Sequence, residues 1–272
     1  MPFYETKDGT RLAYEDYGSG APIVFLSGRG LTADQWEYQV PFLTDHGYRC
    51  IMPVRRGHGQ SDRASTGYDP DTLADDTARL IEQLDLRDLT LVAHSVGGGE
   101  AVRYLRRHGD ERVRGLLLLS ATLPALQLTE DNPEGAPDAV MDETLALFDA
   151  DYPKWFADRA QGYYATHLGN NVSPALIDNE IARLLSASKW ATAHVALESF
   201  RADFREDVRA VQVPTLIIHG VADQSAPIDL CSRRTAELKP DAVYKEYPTA
   251  GHGLYVTHAT ELNDDILDFV ER

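Results

Sequence analysis

A serine hydroxyl becomes a useful nucleophile only when a base takes its proton and an acid orients that base. Ser95, His252 and Asp223 supply those three side-chain types. Ser95 follows the apolar run Leu89 to Val92 and precedes Gly97, Gly98 and Gly99, where a helical pattern begins. A sharp strand-to-helix turn of this kind lifts a serine above the end of a parallel sheet. Such a turn is crowded two positions either side of the serine. Gly97 has no Cβ to collide there, and Ala93 has little more than a methyl group. Taken alone, the stretch also fits a glycine-rich phosphate loop or a plain strand–helix turn. Asp223 lies in His219-Gly220-Val221-Ala222-Asp223-Gln224, after a predicted strand ending at Ile218. His252 lies in Thr249-Ala250-Gly251-His252-Gly253, after another ending near Tyr247. Each residue thus follows a predicted parallel strand, so all three reach one sheet edge. Their chain order, Ser then Asp then His, is one of the orders in which acyl-transfer triads occur.

The elements that must position them read as an alternation. Phe3 to Thr6 and Leu12 to Tyr17 flank Asp8-Gly9 as a hairpin. Ile23 to Leu26 is a buried strand that ends in Ser27-Gly28-Arg29-Gly30. Ala33 to His46 reads as one helix closed by Gly47, and Tyr48 to Pro53 as the next strand. Asp71 to Leu84 and Val96 to Arg107 read as helices, and Val113 to Ser120 as a strand. From about Ala121 to Ala210 the rhythm breaks into helical patterns rich in aromatic residues. Strands resume at Val213 to Ile218 and Ala242 to Tyr247, and a helix from about Ala259 to Val270 follows. Strands alternating with helices predict an α/β, mostly parallel, doubly wound sheet. The helical stretch predicts a cap inserted before the last strands. The expected division is a core of residues 1–122 and 208–272 with a helical cap of 123–207.

Composition narrows the function. A hydrophobic content of 43% in 272 residues is enough for a sizeable core. A formal charge of −17 argues against nucleic acid or an anionic membrane surface as partner and fits a small-molecule substrate. Two cysteines, Cys50 and Cys231, make no disulfide framework, and no His/Cys cluster has zinc spacing, so no metal is expected. No run of 18 apolar residues occurs, and the N-terminus lacks a basic region followed by an apolar stretch. A cytoplasmic location is the expectation.

Across nearly its whole length the chain resembles the α/β-hydrolase-fold superfamily, and within it the bacterial cofactor-free haloperoxidase, esterase and perhydrolase group. The resemblance rests on Ala33-Asp34-Gln35-Trp36, Arg55-Arg56-Gly57-His58-Gly59-Gln60-Ser61-Asp62, Ser95-Val96-Gly97-Gly98-Gly99-Glu100, Asp203-Phe204-Arg205-Glu206-Asp207 and the Asp223 and His252 loops. It implies that Ser95 is acylated, that His252 is general base and acid, and that Asp223 is its partner. It implies an oxyanion hole from the backbone N–H groups of Arg29 and Val96, and no cofactor. Family members form several assemblies, which leaves a homo-oligomer open. Four positions depart from the family pattern. Ser27-Gly28 stands for His-Gly, Arg29 for an aromatic residue, Gly30 for the proline common in perhydrolases, and Val54 for an aspartate. Loss of the His and of the Asp reads as one linked change, since either alone would leave a polar group unpaired. Gly30 counts against perhydrolysis, an activity tied in the family to this loop's carbonyl geometry.

Arg29 admits two readings. Its guanidinium either faces the pocket and pairs with a substrate carboxylate, or turns to solvent or to an acid on the cap. Further candidates for substrate contact are His94, Trp155, Tyr163 and Trp190. His58 reads as structural and Glu100 as a helix-surface or helix-packing residue. The expected function is a serine hydrolase of a small ester, lactone or related acyl substrate. The alternatives are lyase, C–C-cleaving or perhydrolytic chemistry on the same residues, and a slow-turnover ligand-binding protein.

Overall fold

A computed structural model describes residues 1–272. Eight strands form one sheet: β1 (Phe3–Glu5), β2 (Arg11–Gly18), β3 (Ala21–Leu26), β4 (Tyr48–Pro53), β5 (Leu89–His94), β6 (Val113–Leu119), β7 (Thr215–Gly220) and β8 (Val243–Tyr247). Their order is β1-β2-β4-β3-β5-β6-β7-β8, and every pair from β4 to β8 is parallel. β2 runs antiparallel to both β1 and β4, as its hairpin signal predicts. The register pairs Leu26 with Ala93, Ala93 with Leu118 and Leu118 with Ile217. The loops after β3, β5, β6 and β7 therefore leave the sheet at one level.

The central strands are apolar throughout because both faces are covered. Val24, Leu26, Leu91, Ala93, Leu116, Leu118 and Ile217 point to one core. Ile23, Phe25, Val92, Leu117, Leu119, Leu216 and Ile218 point to the other. This is the period of two that a pleated strand imposes. Helices α1 (Val40–Asp45), α2 (Pro70–Gln83) and α3 (Gly97–His108) follow β3, β4 and β5 in the first half of the chain. α2 and α3 cover the first core. The expected single helix over 33–46 is instead a 3-10 turn, Ala33–Trp36, followed by α1. Pro41 explains the break, because inside a longer helix it would lack a donor and clash with the preceding turn.

Between β6 and β7 come α4 (Asp138–Ala150), α5 (Tyr152–Tyr164), α6 (Pro174–Ser186) and α7 (Lys189–Arg201), then the short α8 (Arg205–Ala210). Three of the longer four start on side-chain caps, with Asp151, Ser173 and Ser188 accepting from the backbone N–H groups of Lys154, Leu176 and Ala191. These helices meet the loops at the carboxyl edge of the sheet. Ala191 lies against Gly57, Leu184 against Gly30, and the backbone of Tyr163 against Gly251. The chain closes with α9 (Ser232–Leu238), α10 (Leu254–Thr257) and α11 (Ala259–Val270).

Gly97 is where the elbow helix meets β3. A Cβ at this position would lie 2.5 Å from the Leu26 carbonyl oxygen, a backbone atom that cannot swing aside. Gly97→Ala is expected to lower stability by about 1–3 kcal/mol through this overpacking, read as a fall in the urea midpoint with an unchanged m-value.

Candidate active site

Ser95 sits in the turn between β5 and α3 with φ of +55°, a left-handed conformation that costs a non-glycine residue of order 1–3 kcal/mol. The strain is held in place from both sides. The Ser95 N–H donates to Leu119 O (3.1 Å), and the Ser95 carbonyl accepts from Gly98 (3.0 Å) and Thr122 (3.1 Å).

His252 Nδ1 lies 2.7 Å from Asp223 Oδ2. Asp223 Oδ1 accepts from the backbone N–H groups of Ser225 and Ala226, each at 2.8 Å. Burial alone would raise the Asp223 pKa, but His252 and His219 outweigh it and hold the carboxyl well below its ordinary range. The carboxylate is therefore an acceptor only, so His252 Nδ1 carries the proton and Nε2 is the free base. Neither Ser95 Oγ nor His252 Nε2 is sealed away from solvent, although both residues are largely buried.

His219 completes the Asp223 surround. It is fully buried at the end of β7, with Nε2 2.8 Å from Ala226 O and 3.3 Å from Asp223 Oδ2. Both neighbours are acceptors, so Nε2–H donates and the Ser232 hydroxyl serves Nδ1. No role for His219 was legible in the sequence. Its only signal was the spacing of four residues to Asp223 across a strand end.

The backbone N–H groups of Arg29 and Val96 make no hydrogen bond. Their directions are set by the peptide units they belong to. In a planar trans peptide, an N–H points opposite to the carbonyl of the preceding residue. The Ser95 carbonyl is pinned as described, which turns the Val96 N–H the other way, at the start of α3. The Gly28 carbonyl accepts from Arg55 Nη1 (3.2 Å) and Leu31 N (3.3 Å), which does the same for Arg29.

Arg55 is the centre of that loop's support. It also donates from Nη2 to Ser27 O (2.7 Å) and from Nε to Glu100 Oε1 (2.6 Å). Glu100 is not a surface residue of α3. It is buried, and burial raises its pKa while Arg55 pulls it back. The loop is further held by Gln35 Oε1 on Gly28 N (2.9 Å) and by His58 Nε2 on Gly30 N (3.2 Å). Neither of the two positions read as a linked change leaves a polar side-chain group unpaired. The Ser27 hydroxyl donates to Thr32 O and accepts from Trp36 Nε1, and Val54 is buried and apolar.

The chain belongs to the α/β-hydrolase-fold family. The family model for the alpha/beta hydrolase fold matches residues 21–259. A non-heme haloperoxidase of Rhodococcus erythropolis is 40% identical over the full length of both chains. A bromoperoxidase structure from Bacillus anthracis superposes with a TM-score of 0.93 at 33% identity, covering all of both chains. An esterase from Exiguobacterium antarcticum gives 0.94 at 30% identity over 99% of each.

The other expected site residues divide. The Tyr163 ring lies 5.2 Å from the His252 ring, and its hydroxyl is 3.0 Å from that of Tyr255. Trp155 is buried with Arg29 over its ring. His94 is fully buried, so it supports the site rather than lining it. Its Nε2–H donates to the His252 carbonyl (3.1 Å), and a Cβ on Gly28 would come 2.7 Å from its Nδ1. The ring is a spacer between the Arg29 loop and the His252 loop. Trp190 is misplaced by the sequence reading. It is 56% exposed, on the outside of α7 and stacked on His194, because helical spacing alone does not say which face of an inserted helix turns inward. No helix is long and apolar enough to cross a membrane, and no cluster of His, Cys, Asp and Glu has metal-binding geometry.

His58 gives the loop a pH dependence. Burial, then the nearby Arg55 charge, push its pKa down to about 3. Nδ1–H donates to Arg56 O (2.9 Å), which leaves Nε2 as acceptor for Gly30. The unfolded chain takes up a proton near pH 6.5 that the folded chain refuses until about pH 3. Stability from this group is full above pH 6.5 and falls as pH drops through that window. The fall in unfolding free energy from pH 7 to pH 5, measured by urea denaturation, is expected to be smaller in His58→Gln than in the wild type by on the order of 1–2 kcal/mol.

Proposed function

We propose that the protein is a serine hydrolase of small carboxylic esters, lactones or related acyl substrates. Ser95 Oγ attacks the carbonyl carbon as His252 Nε2 takes its proton. The tetrahedral oxyanion is received by the N–H groups of Arg29 and Val96. His252 returns the proton to the leaving oxygen, and water, deprotonated by the same nitrogen, then releases the acid from Ser95. Asp223 keeps His252 in the required tautomer, and His219 with two backbone N–H groups keeps Asp223 ionised. Helices α4 to α7 act as the cap that shapes the acyl and alcohol pockets.

The observation that carries this reading is the pair of unbonded N–H groups at Arg29 and Val96, on the same edge as a strained serine and a histidine with a free Nε2. A phosphate loop would need neither the histidine nor its carboxylate. The relatives named as haloperoxidases raise peroxide-dependent chemistry as the alternative. Gly30 counts against it. Its φ of +76° is closed to proline, and its N–H is committed to His58. The oxyanion loop thus has its own backbone course.

Fluorophosphonate labelling, with the modified peptide identified by mass spectrometry, tests the proposal. Wild type is expected to be labelled at Ser95 and to turn over p-nitrophenyl acetate, with both lost in Ser95→Ala. An unlabelled Ser95 in a protein that turns over none of a panel of p-nitrophenyl esters and lactones would defeat it.

Arg55 separates positioning from stability. Arg55→Met leaves Glu100 buried without a partner, at an expected cost of about 3–5 kcal/mol. Arg55→Met/Glu100→Leu should regain most of that stability. Its kcat on p-nitrophenyl acetate should nevertheless stay about a hundredfold down, since the Arg29 N–H is no longer fixed. Full recovery of both would mean that Arg55 serves folding alone.

A further inference from the structure

Arg55 and Arg56 are buried and Arg29, Arg103 and Arg183 half-buried, and each of these except Arg29 is paired with carboxylates. Arg29 differs. It makes no hydrogen bond and no ion pair, and its guanidinium carbon lies 4.9 Å from the centre of the Trp155 ring. Arg159 shares the same indole at 4.3 Å, and its one hydrogen bond goes to the Trp155 carbonyl. The Trp155 indole N–H is sealed from solvent, with no acceptor. Two guanidinium groups, half-buried Arg29 and exposed Arg159, therefore lie over one indole with no carboxylate paired to either. In a chain of net charge −17, carboxylates are plentiful, yet none is placed here. Burial lowers the Arg29 pKa, and no acidic side chain of Asp or Glu opposes that shift.

We infer that Arg29 and Arg159 form an anion subsite that receives a carboxylate on the acyl part of the substrate. The inference rests on the acyl-transfer reading for its placement, because the Arg29 backbone N–H is the proposed oxyanion donor. The side chain of that residue can reach only a group within a few atoms of the reacting carbonyl. The chemistry that fits is a monoester, or a lactone, of a short dicarboxylic acid whose second carboxylate stays free. The guanidinium fork suits such a group, with two parallel N–H···O bonds. Cation–π contact with Trp155 holds the two cations in place.

The test separates binding from turnover. Ser95→Ala is titrated with monomethyl adipate and with dimethyl adipate, followed by calorimetry. Monomethyl adipate is expected to bind roughly tenfold or more tightly than the diester. Arg29→Met and Arg159→Met, each made in the Ser95→Ala background and checked for folding by circular dichroism, should each erase most of that preference. In the Ser95-containing protein, kcat/KM for mono-p-nitrophenyl adipate should exceed that for its methyl ester by a similar factor, with the difference carried by KM. Equal affinity for the two probes, failure of both to bind, or a preference untouched by either arginine substitution would overturn the subsite. Selective binding of the monoacid by Ser95→Ala with no turnover by the wild type would uphold the subsite and defeat the hydrolase reading instead.

Discussion

The site depends on the planarity of two peptide units, Gly28–Arg29 and Ser95–Val96. An oxyanion hole is made of backbone donors, and a backbone donor cannot be aimed by choosing a rotamer. It is aimed by what holds the carbonyl on the other side of the same plane. At Ser95 that work is done by the first turn of α3 and by Thr122. At Gly28 it is done by Arg55, whose guanidinium reaches two consecutive carbonyls and the Glu100 carboxylate at once. Glu100 lies on α3, five residues beyond the serine. One buried ion pair therefore ties the two donors into the same rigid unit, across the β3–β5 boundary of the sheet. Such a pair adds little net stability compared with an apolar pair of the same shape. Its value here is positional, because misplaced donors forfeit much of the electrostatic stabilisation.

The Asp223 side of the site follows the same pattern of carboxylate control. A buried aspartate would protonate unless its negative charge were met. Asp223 receives the His252 and His219 rings and two backbone N–H groups, which leaves it no reason to take a proton. His219 and His252 do different work on the same oxygen. His219 is locked by Ala226 and Ser232, whereas His252 keeps Nε2 open. Fully buried His94 links the two halves, since its ring touches Gly28 on one side and donates to the His252 carbonyl on the other. The Arg29 loop and the His252 loop are thereby spaced by one rigid imidazole.

The parts legible in the sequence were those written in local pattern. Apolar runs gave the buried strands, and Gly97 and Gly98 marked the elbow, because steric need near a tight turn leaves a trace in the residue type itself. Ser95, Asp223 and His252 could be grouped because each follows such a strand, and strand ends share an edge in a parallel sheet. Over 33–46 the apolar periodicity predicts one helix, but Pro41 breaks it into two pieces. What had no local trace was the support: Arg55 with Glu100, His58 with Gly30, and His219 with Asp223 beyond a spacing any histidine could show. These contacts join residues from different elements, and nothing in either partner's neighbourhood names the other. Trp190 failed for a related reason. An aromatic residue on an inserted helix has a face, but the face that turns inward is decided by packing against α4, α2 and the loops below.

The charge of the whole molecule and the charge at Arg29 point in opposite directions, and distance decides which a ligand feels. A net −17 repels anions at long range, but at physiological ionic strength that field is screened beyond about 8 Å. At Trp155, the half-buried Arg29 and the exposed Arg159 guanidinium groups lack carboxylates and are partly compensated by the π face of the indole. Leaving a cation short of partners in a desolvated place is costly, so a ligand carboxylate there would relieve a cost the empty site already bears. A group bound alike in ground and transition states lowers KM and leaves kcat alone. The guanidinium and the N–H of Arg29 would then act on different quantities from the same residue, the side chain choosing the acyl group and the backbone stabilising the charge that forms upon it.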